Sequence, residues 1–386
     1  MQSSNDNRNI IFIIAGEASG DQIGADLIYQ LKKLNKNPIK FVGIGGPKMI
    51  KEGLNPIFDM SEISVMGILE VVVKIYKIIK LLKLTEKSIY LNKPNILITI
   101  DSPGFNLRIQ KKVCKIKNLK QIHYVAPTVW AWKAYRAKQM SKFLDLLLVL
   151  FPFEKKYFTS EGLDTEFVGH AGIFRMNNDE TKTITKKETI DLNNLKIAIL
   201  PGSRLTEIRK LMPVFVKVAV QLTKYFNNIN FFRVTLPSLK NHIEKYLINL
   251  GLEYYITDNL DEKYNIYSDV DCALCASGTV SLELANYRTP MVVAYKLNWM
   301  TWSLVRIMVK INTASIVNII LHKKIIPEYF QGRASVENLT FAIKDLIIKD
   351  NIRNKQVQGL DEAIKCVINN TQDPSYLAAK AIMKIV

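Results

Sequence analysis

The chain has 386 residues, more than one α/β domain usually holds, and its 48% hydrophobic content is ordinary for a globular protein with sizeable cores. The net charge is +18, and residues 1–175 carry 26 basic and 15 acidic side chains against 27 and 20 in the remainder, which excludes a single basic tail. Such an excess suits phosphorylated substrates, nucleic acid or an acidic membrane surface, although heavy use of Lys, Ile and Asn accounts for it equally well.

The N-terminus, Met1-Gln2-Ser3-Ser4-Asn5-Asp6-Asn7, is polar and has no signal-peptide core. Ile10–Ala15 reads as a buried strand and runs into Gly16-Glu17-Ala18-Ser19-Gly20-Asp21, with a helix from about Gly20 to Asn35. Lys40–Ile44 is a short strand ending in Gly45-Gly46-Pro47. The segment 64–84 is apolar but interrupted by Glu70, Lys74, Lys77, Lys80 and Lys83, so it is not a spanning helix. At about 100° per residue, Val71, Ile75, Ile78, Ile79 and Leu82 share one stripe and the lysines lie opposite. This is an amphipathic basic helix that either covers a sheet or lies on a lipid surface.

Three more strands follow in the first half. Asn95–Ile100 ends in Asp101-Ser102-Pro103-Gly104, Gln121–Val125 in Ala126-Pro127, and Leu144–Leu150 in Phe151-Pro152-Phe153. Continuous apolar strands separated by helices predict a parallel sheet covered on both faces, with its strand ends along one edge. The polar stretch 177–194 is the best linker. The rhythm then restarts, with strands at Ile197–Leu200, Phe231–Leu236, Glu253–Thr257, Cys272–Cys275 and Met291–Tyr295. Helices are expected over Arg204–Asn227, Ser238–Leu250 and Thr279–Tyr287, and the tail from Ser335 to Val386 reads as helices. The four cysteines include a C-x-x-C at Cys272 and Cys275, inside a strand and with no second pair or nearby His to complete a zinc set. They are expected to be apolar fillers in a reducing cytoplasm.

Three strand ends carry the chemistry: Gly16–Asp21, Pro201-Gly202-Ser203-Arg204 and Ala276-Ser277-Gly278-Thr279. A turn at the carboxyl end of a parallel strand, opening a helix, aims N–H groups at one spot and favours an anion there. Their division between two halves predicts two nucleotide-binding-type lobes facing each other. Glu17 sits in the first turn, and Asp101 directly follows a strand, where it serves either as a general base or as a turn former. His123 and His170 lie near strand ends and are either catalytic or structural. Arg204 at a helix start suits a diphosphate, because its fork donates two bonds. Ser277, Gly278 and Thr279 offer hydroxyl and N–H donors, and Glu283 is placed to accept from a ribose diol. No metal or cofactor is expected, so Arg204, N–H groups and helix dipoles must offset the leaving charge.

These motifs, in this order, resemble the bacterial lipid-A-disaccharide synthase family of inverting GT-B glycosyltransferases. Further matching segments are Gly43–Pro47, Ser64–Gly67, Asp101–Asn106, His123–Trp132, Phe167–His170, Pro290–Val293, and Pro327-Glu328 with Gln331. Ala171 stands where the family usually has Pro, Ala126 and Thr128 where it usually has Ser, and Gly104 where Asp is frequent. The resemblance implies an α/β GT-B fold of two Rossmann-like parallel-sheet lobes facing across a crevice. Residues 1–176 would form the acceptor-side lobe, 177–194 the linker, 195–365 the UDP-sugar lobe, and 366–386 a helical tail packing on the first lobe or on a partner.

The implied reaction moves the sugar of UDP-2,3-diacylglucosamine to the 6-hydroxyl of 2,3-diacylglucosamine 1-phosphate with inversion, giving a β-1,6 disaccharide phosphate and UDP. Asp101 would be the base, with Glu17 and His123 as the other catalytic candidates. Ser19, Met66, Asn106, Arg204, Ser277, Gly278, Thr279, Glu283, Glu328 and Gln331 would bind substrate. Acylated substrates place the enzyme at the cytoplasmic face of the inner membrane, with Val71, Ile75, Ile78 and Leu82 as lipid contacts. A homodimer is allowed for, and nucleic acid is not expected as a partner. The alternatives are another GT-B UDP-sugar enzyme, either an epimerase or an undecaprenyl-linked N-acetylglucosaminyltransferase, and a non-catalytic nucleotide-binding scaffold at the membrane surface.

Overall fold

The structure is a computed structural model that describes residues 9–63, 71–130, 134–178, 189–248, 250–298, 313–368 and 372–385. The chain divides into two compact units, one of residues 1–174 with 367–386 and the other of residues 175–366. Each is built on its own parallel sheet.

In the first unit the strands are β1 (Asn9–Ala15), β2 (Ile39–Ile44), β3 (Leu54–Pro56), β4 (Ile96–Ile100), β5 (Lys120–Tyr124), β6 (Leu146–Val149) and β7 (Thr165–Phe167). Their order across the sheet is β3-β2-β1-β4-β5-β6-β7, and every described pairing is parallel. The order reverses between β1 and β4, where Ala15 lies beside Ile100. The interleaved helices are α1 (Ala18–Leu34), α2 (Pro47–Lys51), α3 (Val71–Asn92), α4 (Pro103–Val113), α5 (Tyr135–Met140), α6 (Lys155–Thr159) and α7 (Ala171–Asn177).

In the second unit β8 (Leu195–Leu200), β9 (Ile229–Val234), β10 (Tyr254–Thr257), β11 (Cys272–Ala276), β12 (Met291–Tyr295) and β13 (Glu328–Phe330) are ordered β10-β9-β8-β11-β12-β13. Here the reversal falls between β8 and β11, with Leu200 beside Cys275. The helices are α8 (Leu205–Leu222), α9 (Lys240–Glu244), α10 (Leu260–Asp269), α11 (Thr279–Asn286), α12 (Ile316–Leu321), α13 (Val336–Ile348) and α14 (Asp350–Val367). The last described helix, α15 (Pro374–Met383), packs along α1 in the first unit, where Gln30 Nε2 donates to Asp373 Oδ2 at 2.8 Å.

The central strands are buried on both faces, as their composition requires: all five residues of β4 and of β11 are buried, whereas the edge strand β10 exposes Tyr254 and Tyr255. Helix α8 shows how the cover is made. Ile208, Leu211, Met212, Phe215, Val218, Ala219 and Leu222 recur at helical spacing and all are buried. Each of the larger side chains contributes about 1.5–3 kcal/mol by leaving water.

Three strands escape the sequence pattern. β3, β7 and β13 each have three residues and lie at sheet edges, too short to display a period. The expected helix over Ser238–Leu250 is instead a 3-10 turn at Pro237–Leu239 followed by the five-residue α9. Asn241 and His242 are weak helix formers, and within α9 only Ile243 is buried, with Leu239 and Leu247 joining it from either side in one apolar cluster.

The amphipathic segment is also corrected. Helix α3 forms, but Leu82 is 6% exposed in the core cluster that contains Phe105 and Ile109, and Ile78 packs against that cluster. The inward stripe is Ile78, Leu81, Leu82, Thr85 and Ile89, so Leu82 is a core position and not a lipid contact, while Ile78 is half-buried against the same cluster. The outward face carries Tyr76, Ile79 and Leu84 with Lys77, Lys80 and Lys83. Met66 and the side chains of Val71 and Ile75 lie outside the described residues, as does most of the stretch 177–194. Among the described residues, no helix is long and apolar enough to cross a membrane.

Cys272 and Cys275 are both buried as free thiols, and burial pushes the Cys275 thiol up to about 12. Neither is poised as a nucleophile. Among the described residues, no group of three His, Cys, Asp or Glu is arranged to hold a metal.

Candidate active site

In a doubly wound sheet, the place where strand order reverses leaves a cleft between two loops that diverge to opposite faces, and ligands bind there. Each unit places its motif turns at this point.

In the first unit, β1 delivers Gly16-Glu17 and the adjacent β4 delivers Asp101-Ser102. The two turns touch closely enough that a Cβ on Gly16 would lie 2.4 Å from Ser102 Oγ, so only glycine fits. Asp101 and Ser102 both have left-handed backbones, with φ of 51° and 43°. Asn106, fully buried in the first turns of α4, holds them: its Nδ2 donates to the carbonyls of Ile100 (3.1 Å) and Asp101 (2.7 Å). Pro103 at the start of α4 fixes the exit of the turn. The carboxyl of Asp101 is half-buried, and desolvation raises its pKa above the ordinary carboxylate range.

Glu17 precedes α1 with an extended backbone, and its side chain makes no capping bond. Ser19 is exposed on the first turn of α1. Asp21 turns away to serve α2, accepting from the N–H groups of Gly46, Lys48 and Met49 at 2.8, 3.1 and 3.0 Å. It is a cap on a neighbouring helix.

His123 lies on β5 beside β4, fully buried, with Nδ1 2.6 Å from Thr99 Oγ1. Burial pushes its pKa down to about 3, so the ring is neutral and a weak base. Val125, two residues on, has a φ of 75°, an unusual strain for a β-branched residue at a strand end. His170 accepts from the Ile173 N–H through Nδ1 at 3.3 Å at the start of α7. A buried acid that the sequence did not single out lies in the same unit. Glu154 is 3% exposed, accepts from the Phe151 N–H at 3.1 Å, and is pushed by burial up to about 8. Nothing in the local sequence distinguishes it from a surface glutamate.

In the second unit, β8 delivers Pro201-Gly202-Ser203-Arg204 and β11 delivers Ser277-Gly278-Thr279. Together they line a cavity of about 390 Å³ that also takes in Glu207, Lys263, Tyr267 and Glu283. Gly202 has a φ of 103°, and a Cβ there would lie 2.1 Å from Glu207 Oε2. Glu207 reaches back to accept from the Arg204 N–H at 3.3 Å and stands 3.5 Å from the Arg204 guanidinium. A glutamate three residues after a helix cap is a signal that the sequence does carry. The Arg204 side chain remains 64% exposed at the mouth of the cavity. Lys263 from α10 pairs with Glu283 at 2.7 Å. In a chain with 53 Lys and Arg, its position is not legible from composition.

Glu328 and Gln331 do not line this cavity; both are engaged by their own chain. Glu328 accepts from the N–H groups of Ala314 (2.8 Å) and Ser315 (2.6 Å), from Asn318 Nδ2 (2.9 Å) and from the Thr313 hydroxyl. The segment it fastens presents the Ala314 carbonyl to Ser277 Oγ at 2.9 Å. Gln331 brackets the backbone of Leu297, donating to its carbonyl and accepting from its N–H, both at 3.3 Å.

Two parallel sheets, each with glycine-bearing turns and charged side chains at its reversal point, define a two-lobed α/β protein of the GT-B architecture. Solved structures with the same fold include UDP-N-acetylglucosamine 2-epimerase from Neisseria meningitidis, at a TM-score of 0.62 and 12% identity over 98% of this chain and 99% of that one. MurG from Acinetobacter baumannii has a TM-score of 0.59 at 14% identity, again over 98% and 99%. A family model described as lipid-A-disaccharide synthetase matches residues 11–386. The lipid-A-disaccharide synthase of Rickettsia prowazekii is 36% identical over 376 residues, covering 96% of this chain and 98% of that protein. That of Rhodospirillum centenum is 31% identical over 379 residues, covering 98% and 94%. The chain belongs to the lipid-A-disaccharide synthase family and is a glycosyltransferase.

Proposed function

We propose that the chain transfers 2,3-diacylglucosamine from UDP-2,3-diacylglucosamine to the 6-hydroxyl of 2,3-diacylglucosamine 1-phosphate with inversion, releasing UDP. The observation that carries the reading is Asp101. It is a half-buried carboxylate with a raised pKa, held at the reversal point of its sheet by Asn106. Inversion is a single displacement, so the acceptor hydroxyl must lose its proton as it attacks. A carboxylate whose pKa is moved upward by desolvation is a stronger base for this step. His123 is disfavoured in this role by its burial and its pKa of about 3. Glu17, across the β1–β4 junction, shapes the acceptor site, with Ser19 at its rim.

On the donor side, the N-termini of α8 and α11 and the Arg204 fork take the diphosphate. They stabilise the charge that grows on the leaving UDP. Thr279 and the Ser277–Gly278 turn supply further donors, and Glu283 takes the ribose. Glu328 and Gln331 support this site by fixing the 313–318 segment and Leu297.

Both substrates carry acyl chains, which places the enzyme on the cytoplasmic face of the inner membrane. The outward face of α3 is the contact: Tyr76 and Ile79 are 76% and 45% exposed, beside Lys80 and Lys83. Apolar burial and attraction to anionic headgroups then act together.

The test is product analysis. Both purified substrates, supplied in detergent, should yield a disaccharide phosphate whose new anomeric centre is β by proton NMR, linked to the acceptor 6-position. An α-linked product, or a UDP-sugar epimer with no disaccharide, would overturn the reading.

A further inference from the structure

The cavity of the second unit holds a lysine that none of its motifs accounts for. Lys263 Nζ lies 2.8 Å from Glu283 Oε1 and 2.7 Å from Oε2, so it engages both oxygens of one carboxylate. Neither group is on the open surface: their side chains are 15% and 20% exposed. The lysine is also held from below, with Nζ 5.3 Å from the Tyr264 ring centroid and 5.6 Å from that of Tyr267. Those rings are braced by Tyr287, which stacks on Tyr264 at 6.0 Å and meets Tyr267 edge-on at 6.5 Å. An ammonium seated over aromatic faces and clasped by a carboxylate is a fixed charge, unlike a solvated surface lysine.

We propose that Lys263 is a positioning residue that sets the orientation of Glu283 for accepting the ribose hydroxyls of the nucleotide. The inference rests on the reading of this cavity as the UDP site. An ionised carboxylate has about four lone-pair positions. Lys263 takes one on each oxygen and leaves one on each for the two hydroxyls of a cis-diol. Without the ammonium, the carboxylate would lose the clasp that fixes its rotamer. Lys263 thereby differs from Arg204, which is far more exposed and stands at the turn where the diphosphate is placed. The two cations serve the two ends of one ligand.

The experiment is calorimetric titration of the full chain with UDP, 2′-deoxy-UDP and UMP. The variants are Lys263→Met, Lys263→Arg and Glu283→Gln. Donor KM and kcat are measured alongside. Lys263→Met is expected to weaken UDP about tenfold, the scale of a lost hydrogen bond to a charged group, and to abolish most of the preference for UDP over 2′-deoxy-UDP. The preference for UDP over UMP should stay as in the wild type, and the kinetic effect should fall on KM rather than kcat. Lys263→Arg, which keeps the charge and two donors, should restore the ribose preference.

If Lys263→Met keeps the ribose preference and instead loses the preference for UDP over UMP, Lys263 is a phosphate ligand and the proposal is overturned. If Glu283→Gln itself keeps the wild-type ribose preference, the reading of the cavity fails first. That result is distinct from one in which Glu283→Gln loses the preference while Lys263→Met retains it. Should Lys263→Met not give a cooperative melt, Lys263→Gln, which keeps a donor but not the charge, is read by the same ratios.

Discussion

The hydroxyl of Ser102 occupies the space in which residue 16 would carry a side chain, 2.4 Å from the point where a Cβ on Gly16 would stand. This contact locks the β1 turn against the β4 turn and thereby fixes Glu17 relative to Asp101. Gly16→Ala cannot be accommodated without moving one of the two turns. Overpacking of this kind costs about 1–3 kcal/mol. The variant is expected to melt lower and to lose turnover more than stability alone explains, while binding UDP normally in the other unit. Thermal melts and UDP titration check both halves of this expectation.

Asn106 predicts a related loss by a different route. Its Nδ2 ties the two carbonyls that hold Asp101 in its left-handed conformation. Asn106→Ala leaves those carbonyls without that donor in a buried site, a cost of about 1–3 kcal/mol. Turnover should fall because the carboxylate is no longer aimed. Asn106→Asp should not rescue it, since a carboxylate cannot donate. Initial rates on folded protein, with circular dichroism to confirm the fold, decide the matter.

Glu154 and His123 make opposite contributions to stability as pH changes. Glu154 is raised from 4.5 to about 8, so its contribution is full below about pH 4.5 and is lost as pH rises through 8. His123 is lowered from 6.5 to about 3, so its contribution is full above about pH 6.5 and is lost as pH falls through 3. Between 4.5 and 6.5 the two slopes cancel, giving a plateau with a decline on either side. Each arm has a slope of about 1.4 kcal/mol per pH unit at most. Glu154→Gln mimics the protonated acid and still accepts from Phe151. It should therefore flatten the alkaline arm and, with the Glu154 slope gone, let the rise due to His123 continue from about pH 4.5 to about 6.5 in melts taken across the range. An unchanged alkaline arm would show that Glu154 is ionised in the folded protein.

The alternation of apolar runs and helical patterns predicts both parallel sheets, because strands buried on two faces must be apolar throughout. β4 and β11, read as strands from the sequence, are fully buried. The turns at Gly16, Asp101, Arg204 and Ser277 were legible for the same reason: they need Gly, Pro, Ser and Asp at strand ends. What the sequence does not carry is set by partners distant along the chain. Asp21 looks like part of the catalytic turn, yet it caps α2. Glu328 has the residue type of a ligand contact, yet four donors of its own chain surround it. Lys263 is one lysine among many until α10 brings it to Glu283.

The face of α3 shows how register separates core from surface. The apolar stripe drawn from Val71 to Leu82 was offset from the one that packs, so Ile79 faces outward while Leu82 is buried. Replacing Ile78 and Leu82 with Ser should therefore unfold the first unit, at a cost of several kcal/mol. Replacing Tyr76 and Ile79 with Ser should leave the melt unchanged and reduce binding to anionic vesicles in sedimentation assays. High salt should weaken wild-type binding only in part, since the apolar contribution is not screened. Normal vesicle binding by the Tyr76 and Ile79 double variant would place the lipid contact elsewhere.

In the proposed reaction Asp101 removes the acceptor proton, and transfer depends on the acceptor. The most direct measurement follows UDP release from UDP-2,3-diacylglucosamine in detergent, with and without 2,3-diacylglucosamine 1-phosphate, for the wild type and Asp101→Asn. The account predicts release only when the acceptor is present. It predicts a loss of about a hundredfold or more in Asp101→Asn, with UDP affinity nearly intact. Acceptor-independent release, or near-normal turnover by Asp101→Asn, would contradict it.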